Sequence, residues 1–430
     1  MKLAIQVFLV LGASLVVDAS AVSAQTRAFV GARVIDGTGN VIERATLVVR
    51  DGKVVQVGSG VAVPAGAERV DVSGLTIIPG LINAHGHLTN VVGMRADQTN
   101  GGSRENVTRQ AQTYARYGVT TVFSLGDEPE SAFQLRADQT AGALDRARVY
   151  LAGPVITGAS AESARAATEK VAGLRPDVLK IRVDDNLGAS RKMPEAAWRA
   201  TIARAKELKL PLAAHIFYLS DAKAVLAAGA TFIAHSVRDV PVDDELVRML
   251  KAQNACYSPT LMREVSTFVY GSTPSWASDP FFLQGLGSAA DLIKAQITDP
   301  KRHAEVQASN AYRQGLRYKE GLEVAKKNLN TLADQGVRIA MGTDTGPAGR
   351  FQGFFEHLEL EMMVEAGLTP MQAIVAATGD AARCYGKSGE LGSIAPGAVA
   401  DFVVLKDNPL QDIRATRTIQ SVWIGGRKAF

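Results

Sequence analysis

The stretch TIIPGLINAHGH, Thr76 to His87, joins an apolar run to two histidines spaced two residues apart. An apolar run of this kind reads as a buried strand, and on a strand His85 and His87 project from the same face. Two imidazoles at the tip of a buried strand form half of a divalent-metal site. Two neutral histidines packed under a loop satisfy the same spacing, so the decision falls to the remainder of the chain.

Downstream of this stretch the pattern alternates between strand and helix. Strand candidates are Thr120–Leu125, Arg148–Ala152, Val178–Val183, Leu212–Phe217, Phe232–His235, Cys256–Pro259 and Val337–Asp344. Between them lie helical stretches such as Ser163–Leu174, Glu195–Leu208, Leu219–Ala228 and Asp244–Ala252. With the His85 strand these make an α/β chain whose alternation matches a (β/α)₈ TIM-like barrel. The long connection Leu261–Gln335 is irregular at first (YGSTPSWASDPFF) and then helical, as an insertion over a barrel mouth would be. Upstream, AFVGARVID and ATLVVRDGKVVQVG read as short strands with a hairpin at Asp51-Gly52. Beyond the helical Phe354–Ala366 and Pro370–Ala377, the chain turns to β again from Gly389. The two ends are therefore expected to complete one small β-sandwich. The implied division is a signal peptide at 1–24, a composite β-sandwich from 25–75 plus 388–430, and the barrel at 76–387.

A chain of 430 residues accommodates such a barrel and a satellite domain. Its 47% hydrophobic and 21% charged residues are those of a soluble globular protein. The net charge of +4 comes without any block of Lys and Arg, which argues against nucleic acid as a partner. Lys2, the apolar Leu3–Val17 and the small residues Val22-Ser23-Ala24 before Gln25 form a signal-peptide pattern. The apolar run is shorter than the roughly 20 residues of a membrane span, so the mature chain is expected to be periplasmic or secreted with no span. The two cysteines, Cys256 and Cys384, lie far apart and read as buried singletons rather than a disulfide.

Active sites of such barrels form where the strands end at their C-terminal face. His85 and His87 end the first strand, Lys180 lies on the fourth, His215 on the fifth, His235 on the sixth and Asp344 on the eighth. Four of the six histidines in the chain thus occupy strand ends, which packing alone gives little reason for.

On PGLINAHGH (79–87), GTDTG (Gly342–Gly346), VEAGLTPMQAIVAAT (364–378) and ADFVVLKDNPL (400–410), the chain resembles the amidohydrolase superfamily, in particular its binuclear imidazolonepropionase-like and prolidase-like members. The resemblance implies that His85, His87 and Asp344 hold one divalent ion and His215 and His235 a second. It implies that Lys180 is carboxylated to a carbamate bridging both. The chemistry agrees, since an ammonium has no lone pair and repels cations whereas a carbamate is an anionic bidentate donor. Zn²⁺ suits such mixed ligation, with Mn²⁺ or Co²⁺ as substitutes. Two ions about 3.5–4 Å apart would hold a bridging hydroxide and polarise a carbonyl. Asp344 would carry the proton to the leaving group. The expected function is an exported metal-dependent amidohydrolase acting on amide or peptide bonds of dipeptides or N-acyl amino acids. Open beside it stand a lactonase or phosphotriesterase, a mononuclear cyclic-amide hydrolase, and a metal- or solute-binding protein without turnover. The partner is a small-molecule substrate, and a homo-oligomer is compatible with this reading.

Three further residues are candidates for substrate binding. Tyr218, three residues after His215, could bring a phenol to a substrate or simply pack. Arg182 lies two residues after Lys180 at the barrel mouth and needs an anion, either Asp184 or Asp185 nearby or a substrate carboxylate. His357 in FFEHLELE stands either near the site or on a surface helix face, and His303 in DPKRHAEV reads as solvated.

Overall fold

The computed structural model describes residues 26–140 and 144–430; the expected signal peptide lies outside the described residues. The apolar stretch that opens the argument divides at Gly80 into two strands with different partners, Thr76–Pro79 and Leu81–Gly86. Leu81–Gly86 is the first strand of a parallel barrel, paired with Val119–Ser124, which pairs in turn with Arg148–Leu151. A second parallel run contains Leu179–Arg182, Leu212–His215, Phe232–Ala234, Cys256–Ser258 and Arg338–Ile339. The two runs close on each other. On one side Ile156 N–H donates to Lys180 O at 2.9 Å and Asp177 N–H to Leu151 O at 2.8 Å. On the other, Ala84 N–H donates to Met341 O at 2.8 Å. Helices follow the strands, among them Ala161–Ala172, Glu195–Glu207, Leu219–Ala228 and Asp244–Ala252, so the alternation legible in the sequence is that of a (β/α)₈ barrel.

The last barrel strand is shorter than the apolar pattern predicts. Only Arg338 and Ile339 are in strand conformation, because after Ala340, whose N–H still donates to Tyr257 O at 2.9 Å, the backbone leaves its neighbour and turns toward the first strand. Both Thr343 and Asp344 donate their N–H groups to His85 O, at 3.2 and 2.6 Å.

The two chain ends do meet. Their strands form one hydrogen-bonded sheet in the order Arg427–Lys428, Ile419–Ile424, Phe402–Leu405, Thr76–Pro79, Arg27–Ile35, Val41–Arg50, Lys53–Gly58, with Glu68–Asp71 also on Arg27–Ile35. The seam between the ends is the antiparallel pairing of Phe402 with Pro79 and Leu405 with Thr76. Asp51 and Gly52 both adopt positive φ, as a two-residue hairpin turn requires. Arg148 from the barrel grips Asp401 of the sheet through both carboxylate oxygens, at 2.6 and 3.2 Å.

The bottom of the barrel is plugged by the helix Gly379–Cys384 and the residue after it. Tyr385 stacks on Phe123, ring centroids 3.7 Å apart, and donates its hydroxyl to Ala84 O at 2.6 Å. That insertion brings Cys384 beneath the seventh strand, where it forms a disulfide with Cys256. The expectation of two unpaired cysteines is therefore overturned: their separation of 128 residues in sequence is erased by the closure of the barrel onto its C-terminal helix. Cross-linking so long a loop removes roughly 4–5 kcal/mol of chain entropy from the unfolded state. The double substitution Cys256→Ala, Cys384→Ala is accordingly expected to lower the melting temperature clearly, measured calorimetrically. An unchanged melting temperature would deny the bond a stabilising role.

The connection after the seventh strand is helical over most of its length but not at 272–279, where bends and turns bear out the irregular stretch the sequence reads there. Asp279 caps the helix Pro280–Leu286, with Pro280 at its first position. Phe282 from this helix packs with Trp276, Phe351 and Phe354 in one aromatic cluster. The insertion ends in the long helix Asn310–Asp334. From it Gln314 and Arg317 donate to Asn186 O and Leu187 O in the loop after the fourth strand, so this helix roofs part of the barrel mouth.

Candidate active site

The six residues singled out at the strand ends converge on one centre. His85 and His87 ring centroids are 5.6 Å apart, His85 and His235 4.5 Å, and His215 and His235 4.2 Å. Lys180 Nζ lies 3.1 Å from His85 Nε2, and His87 Nε2 lies 2.8 Å from Asp344 Oδ1. His85, His87 and Asp344 each offer a ligand atom within 4.8 Å of the others. All but half-buried His87 are buried, Lys180 to 4% exposure.

Three of the four rings are held by a nitrogen turned away from the centre. His87 Nδ1–H donates to Gly126 O at 3.2 Å, and His215 Nε2–H to Asp184 Oδ2 at 3.0 Å. His235 Nδ1 bonds the Thr260 hydroxyl at 2.6 Å. Such anchoring fixes ring orientation and tautomer and leaves the opposite nitrogen to the centre. His85 Nδ1 has no hydrogen-bond partner among the described residues.

Burial dominates the electrostatics. It pushes His85 and His235 well below the usual imidazole range and His215 down to about 3, so these rings are neutral lone-pair donors. Burial likewise lowers Lys180 to about 8. For Asp344 burial acts the other way, but Arg350, donating to Oδ2 at 2.6 Å, and His87 outweigh it and hold the carboxyl well below its ordinary value. Asp184 is held down in the same way by His215 and Arg182 against its own burial.

The backbone is strained at this centre. His235, Thr260 and Asp344 adopt positive φ, of 77°, 51° and 58°. For β-branched Thr260 this conformation is a true outlier, and strain of this kind persists only where the surroundings over-determine it. The GTDTG loop shows why its glycines are needed: a Cβ on Gly342 would come within 2.4 Å of Ser258 Oγ and 2.7 Å of His85 Cβ, and one on Gly346 within 2.4 Å of His87 O.

Behind the histidines lies a buried polar network that sequence reasoning did not find. Asn83 Oδ1 accepts His85 N–H at 2.9 Å, and Glu356 Oε1 accepts from the Thr343 and Thr345 hydroxyls at 2.8 and 2.7 Å and from the Asn83 amide. Glu356 therefore ties the first strand to the loop that carries Asp344. The signal was an acid in a helix, Phe354–Glu365, that buries residues all round. Asp184 as the anchor of His215 was likewise missed, although it lies in the loop already considered for Arg182.

The three substrate-binding candidates fare differently. Arg182 pairs with Asp184 at 3.1 Å and is 41% exposed, so the nearby acid is its partner. Tyr218 donates to Asp185 Oδ1 at 2.9 Å and carries Lys192 over its ring, which holds it at the rim. His357 is neither at the site nor on a surface: it is buried, bonded to Tyr117 O at 2.8 Å and the Thr416 hydroxyl at 2.9 Å, and joins the barrel to the C-terminal segment. His303 is half-buried and bonds Ile297 O at 2.9 Å.

The model of the Amidohydrolase family matches residues 76–429. An imidazolonepropionase of Mycolicibacterium smegmatis is 25% identical over 394 residues, 86% of both chains. An ochratoxinase of Aspergillus niger is 41% identical over 97 residues, which are 21% of this chain and only 19% of that protein's length. Among solved structures, a Xaa-Pro dipeptidase with bound methionine in the active site superposes with a TM-score of 0.71 at 21% identity, over 94% of this chain and 99% of that one. The Aspergillus niger ochratoxinase superposes at 0.72 and 19% identity, over 94% and 96%. These likenesses place the fold.

Proposed function

Because the chain belongs to the amidohydrolase family, we propose that it is an exported, metal-dependent hydrolase of amide or peptide bonds, acting on dipeptides or N-acyl amino acids. The observation that carries this reading is the convergence of four imidazoles, one buried lysine and one aspartate on a single centre at the C-terminal ends of the strands. The donor set fits divalent ions. Its buried rings are neutral, Asp344 is ionised, and Lys180 Nζ stands within bonding reach of His85. In this reading His85, His87 and Asp344 would hold one ion and His215 and His235 a second, with Lys180, as a carbamate, supplying an anionic oxygen donor between them. Zn²⁺ is the ion this mixture of nitrogen and oxygen donors suits.

When bound, such ions supply a water acidic enough to attack at neutral pH and Lewis-acid polarisation of the scissile carbonyl. The remaining work belongs to the chain. Asp344 takes the proton of the attacking water and returns it to the leaving nitrogen. Arg350 keeps that carboxyl ionised and turned toward His87. The roof helix Asn310–Asp334 limits access of bulk water. The Cys256–Cys384 disulfide supports export, since such bonds persist in oxidising compartments.

The tight His85–His87–Asp344 set alone favours a second reading, a mononuclear cyclic-amide hydrolase. Elemental analysis and a turnover screen separate the two. Protein purified with Zn²⁺ and bicarbonate is expected to hold two ions per chain and to hydrolyse members of an N-acyl amino-acid library. A ratio of one with turnover of cyclic amides alone would favour the mononuclear reading.

A further inference from the structure

Glu264, at the barrel mouth, faces two guanidinium groups. Its Oε1 pairs with Arg238 and its Oε2 with Arg263, the latter at 3.0 Å, so one carboxylate serves two cations. Arg238 is otherwise anchored: it donates through Nη2 to Ile216 O at 2.6 Å and lies over the Phe217 ring. Arg263 is not. It is only 6% exposed, its hydrogen bond goes to Glu264, and its Nε, like that of Arg238, has no hydrogen-bond partner among the described residues. That Nε lies 4.0 Å from Asp344 Oδ2, an oxygen that Arg350 already occupies at 2.6 Å. A buried guanidinium with half a counter-ion and an idle donor is costly unless an anion completes it.

The surroundings hold this group still. Glu359 accepts the N–H groups of Leu261 and Met262, both at 2.7 Å, fixing the backbone just before Arg263. The strained Thr260 turns that segment into the mouth. Tyr318 of the roof helix packs its ring 4.2 Å from the guanidinium and holds it from one face.

We propose that Arg263 is the specificity-determining residue for a free carboxylate on the leaving group. This rests on the reading of Asp344 as proton donor to the leaving nitrogen. In a dipeptide or an N-acyl amino acid the carboxylate is separated from that nitrogen by one carbon. A nitrogen placed at Asp344 therefore brings its carboxylate beside Asp344, where Arg263 waits with a fork suited to it. The role that the sequence offered to Arg182 passes to Arg263, because Arg182 is already matched by Asp184.

The test compares N-acetyl-L-leucine with N-acetyl-L-leucinamide on metal-loaded wild type, Arg263→Met and Arg263→Lys, reading kcat and KM separately. Wild type is expected to prefer the acid, and Arg263→Met to lower that acid-to-amide ratio by about 10²–10³-fold, chiefly through KM. Arg263→Lys, which keeps the charge without the fork, should recover part of the ratio. Equal use of acid and amide by wild type, or an equal loss on both in Arg263→Met, would overturn the proposal. Calorimetric titration of N-acetyl-L-leucine into wild type and Arg263→Met reads the same contact without turnover. If wild type hydrolyses neither compound, the library screen decides the hydrolase reading and the titration alone decides Arg263: weaker binding to Arg263→Met supports it, and equal binding or none in wild type overturns it.

Discussion

Asp344→Asn is expected to lose about 10²–10⁴-fold in turnover while keeping appreciable metal, measured by elemental analysis beside kcat on an N-acyl amino acid. The two oxygens of Asp344 have separate neighbours. Oδ1 faces His87 Nε2 at 2.8 Å, on the side of the ligand atoms, and Oδ2 receives Arg350 at 2.6 Å. Asparagine keeps the shape and one ligating oxygen but cannot accept and return a proton. A side chain that only ligates should therefore lose metal together with activity, whereas one that also moves protons should lose activity first. Full turnover by a metal-loaded variant would remove the shuttle from the mechanism.

The barrel and its centre were legible because both rest on local regularities. Alternating strand and helix patterns place strand ends in space without any tertiary information, and Leu219–Ala228 and Asp244–Ala252 appear with the predicted bounds. Once strands are placed, His85, Lys180, His215 and His235 follow from position. What stayed hidden arises where remote segments touch. Glu356 meets Asn83 across 273 residues, and no period in either segment announces it. Cys384 reaches Cys256 only because Tyr385 enters the barrel floor. Arg263 and Thr260 sit in a segment whose direction is set by a left-handed residue that propensity would never place there. His357 misled for a related reason. Histidine in a helix near the last strand reads as exposed or functional, and its actual partners, Tyr117 O and Thr416, belong to segments 240 and 59 residues away.

Lys180→Ala is expected to bring the metal content from near two ions per chain toward one or fewer and to take activity close to background. The lysine is 4% exposed on the fourth strand, and its amine is 3.1 Å from His85 Nε2. Left as an ammonium it would place a buried positive charge among groups poised to bind cations, and its burial outweighs the help of Asp344, Glu128 and Asp184. Burial disfavours that ammonium, and a neutral amine is the form that adds carbon dioxide. Two controls separate a bridging carbamate from a merely packed side chain. Lys180→Arg fills the space and keeps the charge but cannot be carboxylated, so it should be as inactive as Lys180→Ala. Acetate or formate added to Lys180→Ala should restore part of both metal and turnover, because a small carboxylate can enter the vacated space and present the missing oxygens. Wild type exchanged into isotopically labelled bicarbonate should show one bound carbonyl resonance that Lys180→Ala lacks. If Lys180→Ala instead retains two ions and full activity, nothing bridges through this residue, and the centre is held by the histidines and Asp344 alone.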